Sequence, residues 1–384
     1  MDARAYLETI LYTRAEVDQW IAGHTTSHEK YDSEIGWIPL PCHVQNGISR
    51  CTCEYSYEPS GARRMTAFAG RQCRINTYGD SFTHCDQVSD GETWQERLAC
   101  HLCEPMRNFG VSGNSLYQAY RRIKREEVRT PASYIILNIH GGGFWSSQSP
   151  WASLAVPRST SGAVRRPTSP YCKVNPAKLE FVECDNLCPT PESLYNLCDL
   201  DWTYQRLKDE FQLKITLARE NIRRQEPEAS YEEIGDLAQT NGIDQKITSV
   251  QDLSNILDQL SKRAAAFTNF RVIEKLEEFA AANEKKIFYV LSHTVDDIAR
   301  GLKSDLKFDR ELVALLEDKR LSYVDDLDAH RADFSRFNLS VTDYLEMYYN
   351  AHYTPAGNFF QAFVIKDKIV EFLTPKPLAY SMPA

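Results

Sequence analysis

The chain has 384 residues, 42% of them hydrophobic, which is roughly two or three domains' worth of polypeptide with enough apolar matter for a sizeable core. Its 44 Lys and Arg stand against 53 Asp and Glu, a formal net charge of -9, and no basic stripe with interleaved aromatics occurs, so nucleic acid is disfavoured as a partner. The start, Met1-Asp-Ala-Arg-Ala-Tyr6, lacks a basic stretch followed by an apolar run, and no segment approaches the roughly 18 apolar residues of a membrane span. A cytoplasmic protein without a membrane span is expected. The 11 cysteines are odd in number, which speaks against a disulfide framework and for free thiols. Cys100-x-x-Cys103 and Cys184-x-x-x-Cys188 imitate zinc-ligand pairs, but Cys100 and Cys103 fall within a predicted helix where buried packing explains them as well, so neither metal nor cofactor is expected.

Residues 1–70 combine aromatics with turn formers, as in Tyr31-Asp-Ser-Glu-Ile-Gly-Trp37 and Tyr55-Ser-Tyr57, and predict short strands or an ordered wrap with Trp37 buried. Arg74-Ile-Asn-Thr-Tyr-Gly-Asp-Ser-Phe-Thr83 then reads as a buried strand running into a glycine turn that ends in a serine. Ser89-Asp-Gly-Glu92 has capping-box spacing, and Trp94, Leu98 and Leu102 recur at helical period. Met106-Arg-Asn-Phe-Gly-Val-Ser-Gly113 predicts a second strand with a glycine loop, after which Asn114 caps a helix bearing Leu116, Ala119, Tyr120 and Ile123. Ser133–Ile139 is a third strand. Segment 140–189 opens with an acid-free, Ser/Pro/Gly/Arg-rich stretch and predicts a long loop or lid; 190–284 is helical and charged, with a seam at Tyr204, Leu207, Phe211, Ile215, Ala218 and Ile222. Strands resume at Lys286–Leu291 and Leu321–Val324, separated by a helix at Arg310–Glu317. His352-Tyr-Thr-Pro-Ala-Gly-Asn358 precedes a last helix with Phe359, Phe360, Phe363 and Ile369.

Gly79-Asp80-Ser81-Phe82-Thr83, Met106–Gly113 and His352 resemble, in order, the catalytic blocks of the SGNH (GDSL) hydrolase superfamily. The resemblance implies an α/β fold, a flavodoxin-like three-layer α/β/α sandwich, with the core in 71–139 and 285–384 and a helical insertion over 140–284. It implies Ser81 as nucleophile, His352 as general base, and the backbone N–H groups of Ser81 and Gly113 as oxyanion donors. These are the parts a serine needs, because its hydroxyl is a poor nucleophile until a base takes the proton and donors await the developing charge. His140 stands where the family has an oxyanion-binding asparagine, and Asp80, His84 and Asn350 are candidate pocket residues. Cys85 is a minor alternative nucleophile.

Two departures from the pattern, His140 in place of the asparagine and the acid before His352, bear on mechanism. The family's Asp-x-x-His is here Tyr349-x-x-His352, so a backbone carbonyl, Asn350, or an acid such as Asp326, Asp328 or Asp343 must orient the imidazole. His140-Gly-Gly-Gly143 is similar to a lipase oxyanion loop, but it follows the serine and no Gly-x-Ser-x-Gly accompanies it. The implied function is serine esterase or acyl hydrolase action on a small-molecule or carbohydrate ester, without a cofactor. An acyltransferase using the same serine and a catalytically silent SGNH-like binding protein are the alternatives, and the helical insertion is a candidate cap or homodimer contact.

Overall fold

The computed structural model describes residues 1–141, 147–155, 164–304 and 309–381. A central sheet of five parallel strands is made by Ile75–Tyr78, Arg107–Asn108, Tyr134–His140, Lys286–Ser292 and Tyr323–Asp325. Numbering these strands one to five along the chain, their order across the sheet is 5-4-3-1-2. This is the flavodoxin-like order, whose direction of winding reverses between the first and third strands. Every residue of Tyr134–His140 is buried. A parallel strand covered on both faces needs this continuous apolar run in place of alternation.

Helices Trp94–Leu102 and Pro355–Phe372 cover one face. Trp94, Leu98, Leu102, Ile365 and Ile369 pack there with Ile75, Ile136, Phe288 and Val290. Helix Leu116–Arg129 lies on the opposite pleat face, where the buried Glu127 carboxylate accepts from Asn76 Nδ2 at 2.7 Å, the Tyr78 hydroxyl at 2.9 Å and Lys285 Nζ at 2.7 Å. Because all three donors converge on it, the buried carboxylate is compensated. The α/β three-layer class read from the sequence is the class found.

By contact density the chain divides into two units: Met1–Pro39 with Trp145–Arg271, and Leu40–Phe144 with Val272–Ala384. The second contains the sheet. In the first, helices Phe211–Arg223, Tyr231–Thr240 and the first turns of Val250–Ala282 share a core of Ile215, Ala218, Ile234, Leu253, Ile256, Leu257 and Leu260. The predicted seam from Tyr204 to Ile222 is broken between helices Leu200–Leu207 and Phe211–Arg223. A hairpin, Tyr171–Asn175 with Glu180–Cys184, lies within the segment read as loop; most of its residues are half-buried or exposed, leaving no hydrophobic alternation to read.

Local caps differ from expectation by a few residues. Thr93, not Ser89, caps helix Trp94–Leu102. Ser115, one residue after Asn114, caps the next helix with a full capping box to Gln118. In the last helix Phe360, Ile365 and Ile369 face inward, whereas Phe359 and Phe363 are exposed. Among the described residues no helix is long and apolar enough to cross a membrane.

Candidate active site

The turn after the first strand is built around Gly79. Its φ of +151° is one that side-chain-bearing residues avoid, and a Cβ there would stand 2.2 Å from Thr83 Oγ1 and 2.7 Å from the Asn138 carbonyl. Asp80 then caps the short helix Ser81–His84, accepting from the Phe82 N–H at 3.0 Å. Ser81 opens that helix, half-buried, at the carboxyl edge of the sheet and at the switch point between the first and third strands. The Ser81 carbonyl accepts from Cys85 and Asp86 N–H at 2.8 and 3.1 Å, closing the turn. Buried Arg63 fastens it from behind, donating to the His84, Cys85 and Val88 carbonyls and to Asp90.

The loop after the second strand joins the same edge. Val111 N–H donates to the Gly79 carbonyl at 3.1 Å, and Gly110 fits only without a side chain, because a Cβ would lie 2.2 Å from His84 N. Gly113 adopts φ +73°. Among the described residues the N–H groups of Ser81 and Gly113 have no hydrogen-bond acceptor, so both retain donor capacity.

His352 stands in a tight hairpin, Tyr349–Asn350 with His352–Tyr353, whose tip residue Ala351 has φ +64°. It lies against the turn that begins at Ser81. Its N–H donates to Gln87 Oε1 at 2.9 Å, its ring centroid is 4.9 Å from that of Phe82, and its Nε2 is 3.9 Å from Asp86 Oδ2. Among the described residues no hydrogen bond joins the Ser81 hydroxyl to His352. Burial, aided by repulsion from His84 and opposed by Asp86, lowers the His352 pKa, so the imidazole is neutral near neutral pH.

Asp86 is embedded in donors. His84 Nδ1 is 2.5 Å from its Oδ1, the Ser112 hydroxyl is 2.7 and 2.8 Å from its two oxygens, and Tyr57 OH is 2.7 Å from His84 Nε2. Burial, the largest influence, works against ionisation, but His84, His352 and Ser112 together hold the carboxyl well below the usual carboxylate range. The sequence reading placed His84 near the pocket but missed Asp86, Tyr57 and Arg63. None of the three carried a usable signal, because they meet only once the turn after the first strand has folded.

The acids considered for orienting His352 are elsewhere. Asp343 pairs with Ser340 at a helix start, Asp328 is exposed beside Arg331, and Asp326 is bonded to His293. Asn350 is exposed and only backbone-paired with His352. His140 is buried, its ring stacked on Phe82 at 3.7 Å and its Nδ1 3.6 Å from Asp80 Oδ2. Burial above all, then repulsion from His352 and His293, lowers its pKa to about 3, so it is a neutral group. Burial likewise raises Asp80 to about 7. Among the described residues buried His140 Nε2, Asn114 Nδ2 and Asn138 Nδ2 lack partners, and all three residues line a small cavity with Gly79 and Asp80 that has room for about one water. Gly142 and Gly143 of the glycine run lie outside the described residues. Cys85 is buried, and desolvation pushes its thiol up to about 12, which disfavours the reactive thiolate. All 11 cysteines are free thiols; Cys100 is exposed, not packed as expected.

A second histidine cluster lies at the ends of the fourth and fifth strands. Among the described residues His293, Asp309 and Asp325 form the one group with side-chain atoms close enough to share a metal ion. His293 Nδ1 is 2.7 Å from Asp326 Oδ1 and 3.7 Å from Asp325, and its Nε2 is 3.3 Å from Asp309. Burial disfavours its protonation, but the bonds to Asp309 and Asp326 outweigh this and raise its pKa well above the ordinary value. It is therefore a buried cation that neutralises its carboxylates, and a metal would first have to displace that proton. Nothing in the sequence linked residues this far apart, although His293 and Asp326 each directly follow a strand.

No family model and no curated protein matches the chain. Among solved structures, it is similar to a G-D-S-L family protein from Desulfitobacterium hafniense DCB-2 at 9% identity and a TM-score of 0.34, over 77% of this chain and 99% of that one. It is also similar to an acetylxylan esterase from Geobacillus stearothermophilus at 10% identity and a TM-score of 0.33, over 80% and 99%. A further structure of an acetyl-xylooligosaccharide esterase from that genus aligns at 11% identity and a TM-score of 0.32, over 78% and 95%. In sheet order and in the succession of its Gly-Asp-Ser, glycine-loop and histidine motifs, the chain is similar to the SGNH hydrolases.

Proposed function

We propose that the protein is a serine hydrolase that cleaves an ester or small acyl group through an acyl-serine intermediate. His352 takes the Ser81 hydroxyl proton as Oγ attacks the acyl carbon, and the N–H groups of Ser81 and Gly113 hold the oxyanion. Collapse breaks the bond to the leaving alcohol, which receives the proton from His352. Water then attacks the acyl-serine with His352 as base, and the second collapse releases the acid and returns the proton to Ser81.

The observation that carries this reading is the seating of His352 on Phe82, Asp86 and Gln87, all in the turn that Ser81 begins. A neutral imidazole with about a quarter of its side-chain surface exposed suits a base that must meet substrate and water. Catalytic hydrogen bonds in ligand-free sites are commonly long and tighten only when substrate binds. The missing bond between Ser81 and His352 nevertheless favours a second reading, a catalytically silent binding protein.

Steady-state hydrolysis of p-nitrophenyl acetate separates the two. The hydrolase reading expects turnover by the wild type and a loss of at least about 10^4-fold in kcat for Ser81→Ala and His352→Ala. A folded wild type with no turnover on short-chain esters contradicts it and favours the silent reading.

A further inference from the structure

We propose that Asp86 is the carboxylate partner of His352, supplied from the nucleophile's own turn in place of the aspartate that would stand three residues before the histidine. The catalytic consequence rests on the serine hydrolase reading; the pairing itself does not.

Position 349 cannot serve this role. Tyr349 is buried, with its hydroxyl 2.9 Å from His330 Nε2, so a side chain there points into the interior, and it pairs across the hairpin with Tyr353 and not with His352. Among the described residues Asp86 is the one acid with an oxygen within 4.0 Å of a His352 ring nitrogen. Its placement is built and not incidental. Ser112 and His84 fix both oxygens, Tyr57 backs His84, and Arg63 locks the carbonyls of His84 and Cys85 immediately before it. The Asp86 N–H donates to the Ser81 carbonyl, so acid and nucleophile sit on one rigid turn.

A closure of about 1 Å turns the 3.9 Å separation into a charge-assisted hydrogen bond. Asp86 then occupies Nε2 and leaves Nδ1 to the serine hydroxyl. When His352 receives the Ser81 proton at Nδ1, the new imidazolium faces a carboxylate that stays ionised. No second proton moves. The acid orients the ring and stabilises its positive charge.

The test is the full-length protein carrying Asp86→Asn or Asp86→Glu, with NMR titration of the His352 ring and the pH profile of kcat/KM. Asp86→Asn is expected to move the His352 titration to lower pH, because the group favouring the protonated ring is gone. It is also expected to lower kcat by about 10^3- to 10^4-fold with KM within about threefold, and Asp86→Glu to recover part of the loss. If Asp86→Asn does not fold, the reciprocal variant His352→Gln decides: losing the imidazolium should raise the Asp86 carboxyl titration. Titrations that stay in place in either variant overturn the pairing, as does a folded Asp86→Asn with unchanged kcat and profile. A wild type without esterase activity would end the hydrolase reading while the two titrations still decide the pairing.

Discussion

Two histidines stand near the carboxyl edge of one sheet, each beside aspartates, and they are opposite devices. His293 is buried among Asp309, Asp325 and Asp326, and its several carboxylates hold the proton on. His352 has one carboxylate at 3.9 Å and an open side, and burial together with nearby His84 keeps the proton off. The number of anions against the degree of burial decides which imidazole is a structural cation and which can act as a base. Proximity of His and Asp in such a fold therefore says little until the protonation state has been argued.

The sharpest way to break this contrast is to delete each ring. His352→Ala should lower kcat by about 10^4- to 10^6-fold, about 5–8 kcal/mol on the barrier, while urea unfolding stays close to wild type because the ring is partly exposed. His293→Ala strands buried carboxylates and should cost about 3–5 kcal/mol in urea unfolding. Equal stability losses for the two variants would erase the distinction. Next in size, Gly79→Ala forces a side chain onto Thr83 and the Asn138 carbonyl and should cost on the order of 1–3 kcal/mol by the same measurement.

Changing pH should separate the two sites without changing their shape. The folded-state pKa of His293 is raised, so its contribution to stability is full below its ordinary value of 6.5 and is lost as pH rises through the raised value. The gap in unfolding free energy between wild type and His293→Ala should then shrink at alkaline pH. Asp86 is lowered, so its contribution is full above 3.8 and is lost as pH falls through the lowered value. If His352 is the base, the acid limb of kcat/KM should lie below 6.5, since its imidazole loses its proton more readily than an ordinary histidine. The smallest expected effect is in thiol labelling: exposed Cys51 and Cys100 react with iodoacetamide in the native protein, while Cys85 reacts only after unfolding, read by mass spectrometry.

Much of the sheet was legible because buried parallel strands write themselves as apolar runs. Tyr134–Leu137 and Ile287–Leu291 are continuous enough to be found without a partner. The short edge strands Arg107–Asn108 and Tyr323–Asp325 carry weaker signals and were located only to within a few residues. Ser81, Gly113 and His352 were legible as motifs. Asp86 was not, because its surroundings come from the fold of the turn and from Arg63 and Tyr57, which bind the two residues before it from more than 20 residues away. The hairpin at Tyr171–Cys184 escaped because its side chains are largely exposed, and the His293 cluster because its members meet only once the fourth and fifth strands are paired.

The account turns on whether Ser81 is an activated nucleophile. Treating the wild type, Ser81→Ala and His352→Ala with a fluorophosphonate probe, followed by peptide mass spectrometry, addresses this directly. The account predicts a single adduct on Ser81 in the wild type and none in either variant. A wild type that stays unmodified, or an adduct on another residue that persists in Ser81→Ala, would contradict it.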